Sequence, residues 1–302
     1  MTERPHFQLY VDGAWTEGSA AQVMESQNPA DGKDWATFAC AAPEDVDHAV
    51  VAARRALEDP AWRDLTQTAR GHLLFRLADL VERNAERLAR LETADSGKLL
   101  AETAAQATYV GSYYRYFAGL ADKIEGAVLP IDKPGMHVFT GGPETARHVI
   151  RNSAENFAAT TLELGGKSPI LVFDDADLDS AINGLIAGNF GASGQSCVAG
   201  SRGLVQRDIL ATLVERIAER AGSITIGDPL DPATDVGPLC TRAQIERIET
   251  TLAQAVDQGA TIHFGGMPLD QPGNYMQPTL VECAGPDIST LEVEMFGPVM
   301  SL

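Results

Sequence analysis

Phe7, Leu9 and Val11 alternate with polar residues and run into Asp12-Gly13, then Ala14-Trp15. A period of two broken by such a pair predicts a β-hairpin with a tight turn. Asn28-Pro29-Ala30-Asp31-Gly32 follows as a loop of turn residues. The period then changes. From Pro43, residues Val46, Ala49, Val50, Ala53 and Leu57 share one helical face, with Glu44, Asp45 and Asp47 near its positive end. Leu74, Leu77, Val81, Leu88 and Leu91 predict one long helix over 66–94. A third helix, over 99–120, carries Tyr109, Tyr113, Tyr116 and Phe117 at helical spacing, a stripe that reads as core packing.

Residues 126–139 predict two short strands around Asp132-Lys133-Pro134-Gly135. Such an exposed hairpin either pairs with another subunit or stands as a surface ribbon. Thr140-Gly141-Gly142-Pro143 opens a helix running to about Asn156. Strands are then expected at 160–164, 169–173, 201–206, 261–264 and 279–283, and helices at 177–190, 207–221 and 242–258. This alternation means an α/β protein with a largely parallel sheet.

Composition narrows the function more than the fold. At about 150 residues per domain, 302 residues suggest two domains. Acidic side chains outnumber basic ones 42 to 23, a net charge of −19, which disfavours nucleic-acid or anionic-membrane partners. No apolar run approaches the roughly 18 residues of a membrane span, and Met1–His6 show no basic cap before an apolar stretch. A soluble, cytoplasmic protein is expected. Cys40, Cys197, Cys240 and Cys283 lie far apart and the six histidines are scattered. That pattern offers no local metal motif and fits a reducing compartment.

Two segments carry candidate chemistry. Gly191-Ala192-Ser193-Gly194-Gln195-Ser196-Cys197 sets a cysteine in a glycine-rich turn between a helix and a strand. Glycines let the backbone approach a bound group, and neighbouring N–H groups can hold an oxyanion. Alone, a nucleophilic Cys197 competes with a structural thiol, the commoner use of cysteine. In Leu162-Glu163-Leu164-Gly165-Gly166-Lys167, a carboxylate between two leucines at a strand end could be desolvated and so serve as a base near neutral pH, although the segment alone favours the plainer use. Its alternative is an ion pair with Lys167 or simple exposure.

Together with Glu294-Met295-Phe296-Gly297-Pro298, these two segments resemble, in order and spacing, the NAD(P)-dependent aldehyde dehydrogenase family. The resemblance extends from about Phe7 to the end. It implies a Rossmann-type nucleotide-binding domain, incomplete, over 1–163, an α/β catalytic domain over 164–302, and a β-hairpin arm at 126–139 through which a homo-oligomer forms. It implies oxidation of an aldehyde with NAD or NADP; that no metal takes part is expected from the scattered cysteines and histidines. Cys197 matches the thiolate that attacks the aldehyde, its own N–H helping to hold the oxyanion, and Glu163 matches the base for deacylation. Glu294, with Phe296 beside it, matches the residue that holds the nicotinamide ribose. Leu164 and Gln244 match further cofactor contacts, and Gly141-Gly142 falls where a helix N-terminus meets the pyrophosphate.

The chain also departs from the family. After a hairpin like 126–139 the family continues into the first strands and helices of the nucleotide-binding fold, which carry an oxyanion-binding asparagine and a ribose-binding lysine. Here Val138-Phe139-Thr140 runs straight into Gly141-Gly142-Pro143. More than one βαβ unit of about 30 residues is missing, and the family's final segments are not found after Leu302. One oxyanion donor is worth roughly 10²–10³ in rate, so a poor dehydrogenase is expected from these residues. The alternatives are that these residues are part of a longer, active enzyme, or that they form a cofactor-independent thiol esterase or a non-catalytic remnant.

Overall fold

A computed structural model describes residues 4–123, 136–155 and 157–302, without the side chains of 136–138. The chain forms two compact units, Met1–Glu125 and Gly126–Leu302.

The first unit begins with β1 (His6–Phe7), β2 (Leu9–Val11), β3 (Ala14–Thr16), β4 (Val23–Gln27) and β5 (Asp34–Ala39). The expected hairpin is β2–β3, with Tyr10 opposite Trp15 and Asp12 and Gly13 both at positive φ. Helices α1 (Pro43–Glu58), α2 (Pro60–Arg63), α3 (Gln67–Arg83), α4 (Ala85–Ser96) and α5 (Leu100–Leu120) follow. The single long helix expected over 66–94 is therefore two. Asn84 breaks it by leaving helical geometry and donating from its side chain to the Leu80 carbonyl at 2.8 Å, a local bond that competes with helix propagation.

The aromatic stripe of α5 is not core. Tyr109, Tyr113, Tyr116 and Phe117 are exposed and pack on one another. Small residues form the helical core instead: Ala78, Ala89, Ala118, and the buried hydroxyl pair Thr93–Thr103 at 3.0 Å. At Gly71 a Cβ would stand 2.8 Å from the Ala118 carbonyl, so α3 and α5 meet backbone to backbone. Close approach at small residues turns the large side chains outward. The expected face of α1 is likewise exposed at Val46, Val50 and Leu57, and Ala52 is buried in its place.

The second unit starts with β6 (Met136–Gly141), α6 (Pro143–Ala154) and β7 (Ala159–Leu164), the two strands running parallel. Of the hairpin expected over 126–139, residues 126–135 lie outside the described residues, and the remainder begins β6. Next come β8 (Pro169–Val172), α7 (Leu178–Phe190), β9 (Arg202–Val205), α8 (Arg207–Ala221), α9 (Arg242–Asp257), β10 (Thr261–Phe264), β11 (Thr279–Glu282), α10 (Ser289–Glu292) and β12 (Val299–Ser301). These strands form a sheet ordered β10-β11-β12-β9-β8, parallel except for β10.

Alternation along its strands builds two cores. Val281 and Val299 pack with Ile245, Ile248 and Leu252 of α9. Their neighbours Leu280 and Met300 pack with Leu185 of α7 and Leu213 and Ile217 of α8. This is the α/β architecture with a largely parallel sheet that the alternation predicts. Its central strand β12 was not expected, being three residues directly after Pro298. Leu171, Phe173 and Leu204, on and beside β8 and β9, stay about half exposed (57%, 58% and 49%).

Candidate active site

After α7 the chain turns sharply through residues 191–194. Ala192 (φ 50°), Ser193 (φ 55°) and Gly194 (φ 71°) are all left-handed, a conformation that costs an L residue roughly 1–2 kcal/mol. Anchors hold it: the buried Ser193 Oγ donates to the Gly237 carbonyl at 2.9 Å, and Gln195 Oε1 accepts the Cys240 N–H at 2.9 Å. Gly194 is required twice, by its φ and because a Cβ there would collide with the Gly297 carbonyl. The turn delivers Cys197 to an exposed position, so the buried structural thiol is not what this cysteine is.

Glu163 lies near the end of β7 and is exposed. The burial expected from its two flanking leucines is absent, because β7 pairs only with β6 among the described residues and Leu164 is itself exposed. Nor does Lys167 pair with it. Lys167 turns inward and donates to the Ser201 carbonyl at 3.2 Å. Burial pushes its ammonium down to about 8, helped by Arg202 and opposed by Cys283 and Glu294.

Glu294 reaches the same loop from far along the chain. Its carboxylate is pressed against Gly165, where any Cβ would collide with it, and its Oε1 is buried without a hydrogen-bond partner. An unpaired buried acceptor of this kind costs about 1–3 kcal/mol, and a ligand hydroxyl would relieve it. Phe296 adopts φ 47° with its ring partly exposed. From the first turns of α9, Gln244 Nε2 donates to the Met295 carbonyl and Arg247 Nη2 to the Glu294 carbonyl at 2.8 Å.

At the other edge of β7, Gly141 and Gly142 join β6 to α6. Gly142 is the N-cap and Pro143 the first helical residue, which leaves helix N–H groups open to an anion. Parallel register sets Thr140 opposite Glu163 and Gly141 opposite Leu164, so the glycine turn and the carboxylate share the C-terminal end of the strand pair.

Residues more than a hundred positions apart converge: Gly166, Lys167, Gly194, Ser196, Glu294 and Phe296 line one small cavity. Cys197 directly follows one of them. Sequence reading did not single out Arg247 or the buried character of Lys167. Gln244-Ile-Glu-Arg247 has the i, i+3 spacing of one helical face, which was the available signal. Among the described residues no group of three or more His, Cys, Asp or Glu side chains could hold a metal, and no helix is long and apolar enough to cross a membrane.

The sequence profile described as "Aldehyde dehydrogenase family" matches residues 15–138 and 132–302. A (Z)-2-((N-methylformamido)methylene)-5-hydroxybutyrolactone dehydrogenase of Acinetobacter baylyi is 40% identical, the match covering 98% of this chain and 79% of that protein. A betaine aldehyde dehydrogenase of Rhizobium leguminosarum bv. trifolii is 30% identical over 100% of this chain and 80% of its own. The NAD+ complex of an aldehyde dehydrogenase from Bacillus cereus superimposes with a TM-score of 0.92 at 28% identity, covering 98% of this chain and 79% of that one. The first of these alignments runs over 387 positions, 85 more than the 302 residues of this chain. At least that many therefore have no counterpart here. With the family's profile matched along nearly all its length, and the family's fold in its structure, the chain belongs to the aldehyde dehydrogenase family.

Proposed function

We propose that this protein oxidises an aldehyde to a carboxylic acid with NAD or NADP, using Cys197 as nucleophile and Glu163 as base. The observation that carries the reading is the convergence of the three motif segments on one cavity. Cys197 thiolate adds to the aldehyde carbon, and the oxyanion of the resulting thiohemiacetal accepts from the Cys197 N–H. The chemistry that a bound nicotinamide supplies is acceptance of the hydride from that carbon. Oxidation leaves a thioester on Cys197. Glu163 takes a proton from water as the water attacks the thioester carbonyl, the acid departs, and the thiolate is restored.

The residues present fit the nicotinamide end of the cofactor. The unpartnered Oε1 of Glu294 suits a ribose hydroxyl, with Phe296 and Leu164 alongside. Gln244 spends one donor on Met295, and its amide has a second donor and an acceptor for the same sugar. Gly141 and Gly142 suit the pyrophosphate. In this reading residues 1–163 serve nucleotide binding, residues 164–302 serve the thiol chemistry, segment 126–139 joins subunits into a homo-oligomer, and the protein works in the cytoplasm.

Stopped-flow assays of a simple aliphatic aldehyde with NAD+ test the pair. Cys197→Ala is expected to lose all NADH formation. Glu163→Gln should give one equivalent of NADH in a burst and then a steady rate at least about 10²-fold slower, the usual worth of a general base. An unaltered steady rate in Glu163→Gln would remove Glu163 from the mechanism.

A second reading has its own support. The β6–β7 pair is all of the nucleotide-type sheet among the described residues, a short crevice for an adenosine. Hydrolysis of an activated ester without nucleotide, lost in Cys197→Ala, would favour a thiol esterase.

A further inference from the structure

We infer that Arg247 is a positioning residue for the cofactor end of the site, acting with Gln244 through the backbone carbonyls of Glu294 and Met295. The inference deepens the proposed function and rests on its assignment of Glu294 to the nicotinamide ribose.

The segment that presents Glu294 and Phe296 is irregular, and two of its features are unfavourable in isolation. Phe296 holds a left-handed φ of 47°, which costs a bulky residue free energy that its surroundings must offset. Glu294 keeps one carboxylate oxygen buried and unpartnered, an arrangement that relaxes by swinging outward unless its backbone is fixed. Two successive carbonyls of the segment are held from one direction. Gln244 and Arg247 stand three residues apart on α9, so they share a face. The glutamine takes the Met295 carbonyl, and the arginine takes the Glu294 carbonyl at 2.8 Å. The helix beneath them is rooted by buried Ile245 and Ile248, and Ile248 lies where a Cβ on Gly297 would be. A rigid helix thus fixes the height and rotation of residue 294. Arg247 itself is exposed, and its contact in this segment is to the main chain.

The test compares Arg247→Met, Arg247→Lys and Glu294→Ala with the unaltered 302-residue protein. Hydrogen exchange of the peptide spanning 293–298 is measured without nucleotide, and NAD+ affinity by calorimetry. A charge-assisted bond to a carbonyl is worth on the order of tenfold in a local equilibrium. Arg247→Met is therefore expected to exchange about tenfold faster in that peptide, with β11 and β12 unchanged, and to bind NAD+ about fivefold more weakly. Arg247→Lys, which keeps a donor, should recover most of both. Unchanged exchange in Arg247→Met overturns the inference, because the segment is then held by something else. Faster exchange with unchanged NAD+ affinity also overturns it, provided that Glu294→Ala weakens binding. If Glu294→Ala binds NAD+ as the unaltered protein does, or if that protein binds none, the cofactor assignment fails and takes the inference with it.

Discussion

At the scale of single residues, Lys167 shows most directly how burial shapes this site. Its ammonium is desolvated, and its pKa falls from 10.5 to about 8. Between those values the unfolded chain binds more protons at this residue than the folded one does, so folding stability rises with pH across the window. Below about pH 8 the full cost of burying the charge is present. Lys167→Met is expected to be more stable than the unaltered protein at pH 7, by on the order of 2 kcal/mol. It should also lose the rise in stability between pH 8 and 10. Urea unfolding at pH 7 and pH 9.5 checks both, and a parallel rise in the variant would show that another group titrates. Cys283 lies in the same surroundings, and burial pushes its thiol up despite the Thr290 hydroxyl beside it. It is correspondingly the less reactive partner to the exposed Cys197.

At the scale of elements, the site depends on two loops that touch main chain to main chain. Gly194 has both a left-handed φ and the Gly297 carbonyl where a Cβ would go. Gly194→Ala should cost roughly 2–3 kcal/mol or more in unfolding free energy, whereas Gly191→Ala, with open space around it, should cost far less. Urea titration of the two variants gives the comparison, and equal losses would mean the contact is unimportant. The elements of the second unit were largely legible in the sequence, because α7, α8 and α9 repeat apolar residues at helical spacing and β8, β9 and β11 are short, mainly apolar runs set among them. β12 escaped notice, since three residues are too few to show a period. In the first unit, periodicity located the helices and misjudged their faces. Contacts at Gly71, Ala118, Thr93 and Thr103 are made by residues that hydrophobic pattern ignores. The candidate site was legible as three motifs that the family resemblance joins; residue pattern alone gives no sign of their meeting, because the contacts between them, Gly194 against the Gly297 carbonyl and Gly165 against the Glu294 carboxylate, need only bare backbone at the glycines.

At the scale of the whole molecule, the second unit's sheet is unevenly covered. α9 seals β11 and β12, whereas Leu171, Phe173 and Leu204 leave an apolar strip about half exposed along β8 and β9. Strips of this kind bind apolar dyes and neighbouring strands. The double variant Leu171→Ser, Phe173→Ser is expected to lower fluorescence of an apolar dye and to raise the concentration at which the protein stays monodisperse. No change in either would mean the strip is hidden in solution. The same strip bears on abundance in a living cell. Chaperones and proteases survey exposed apolar strands, and small differences in what they detect alter steady-state levels several-fold. For a chain with this surface, the strip itself becomes a determinant of how many copies a cell retains.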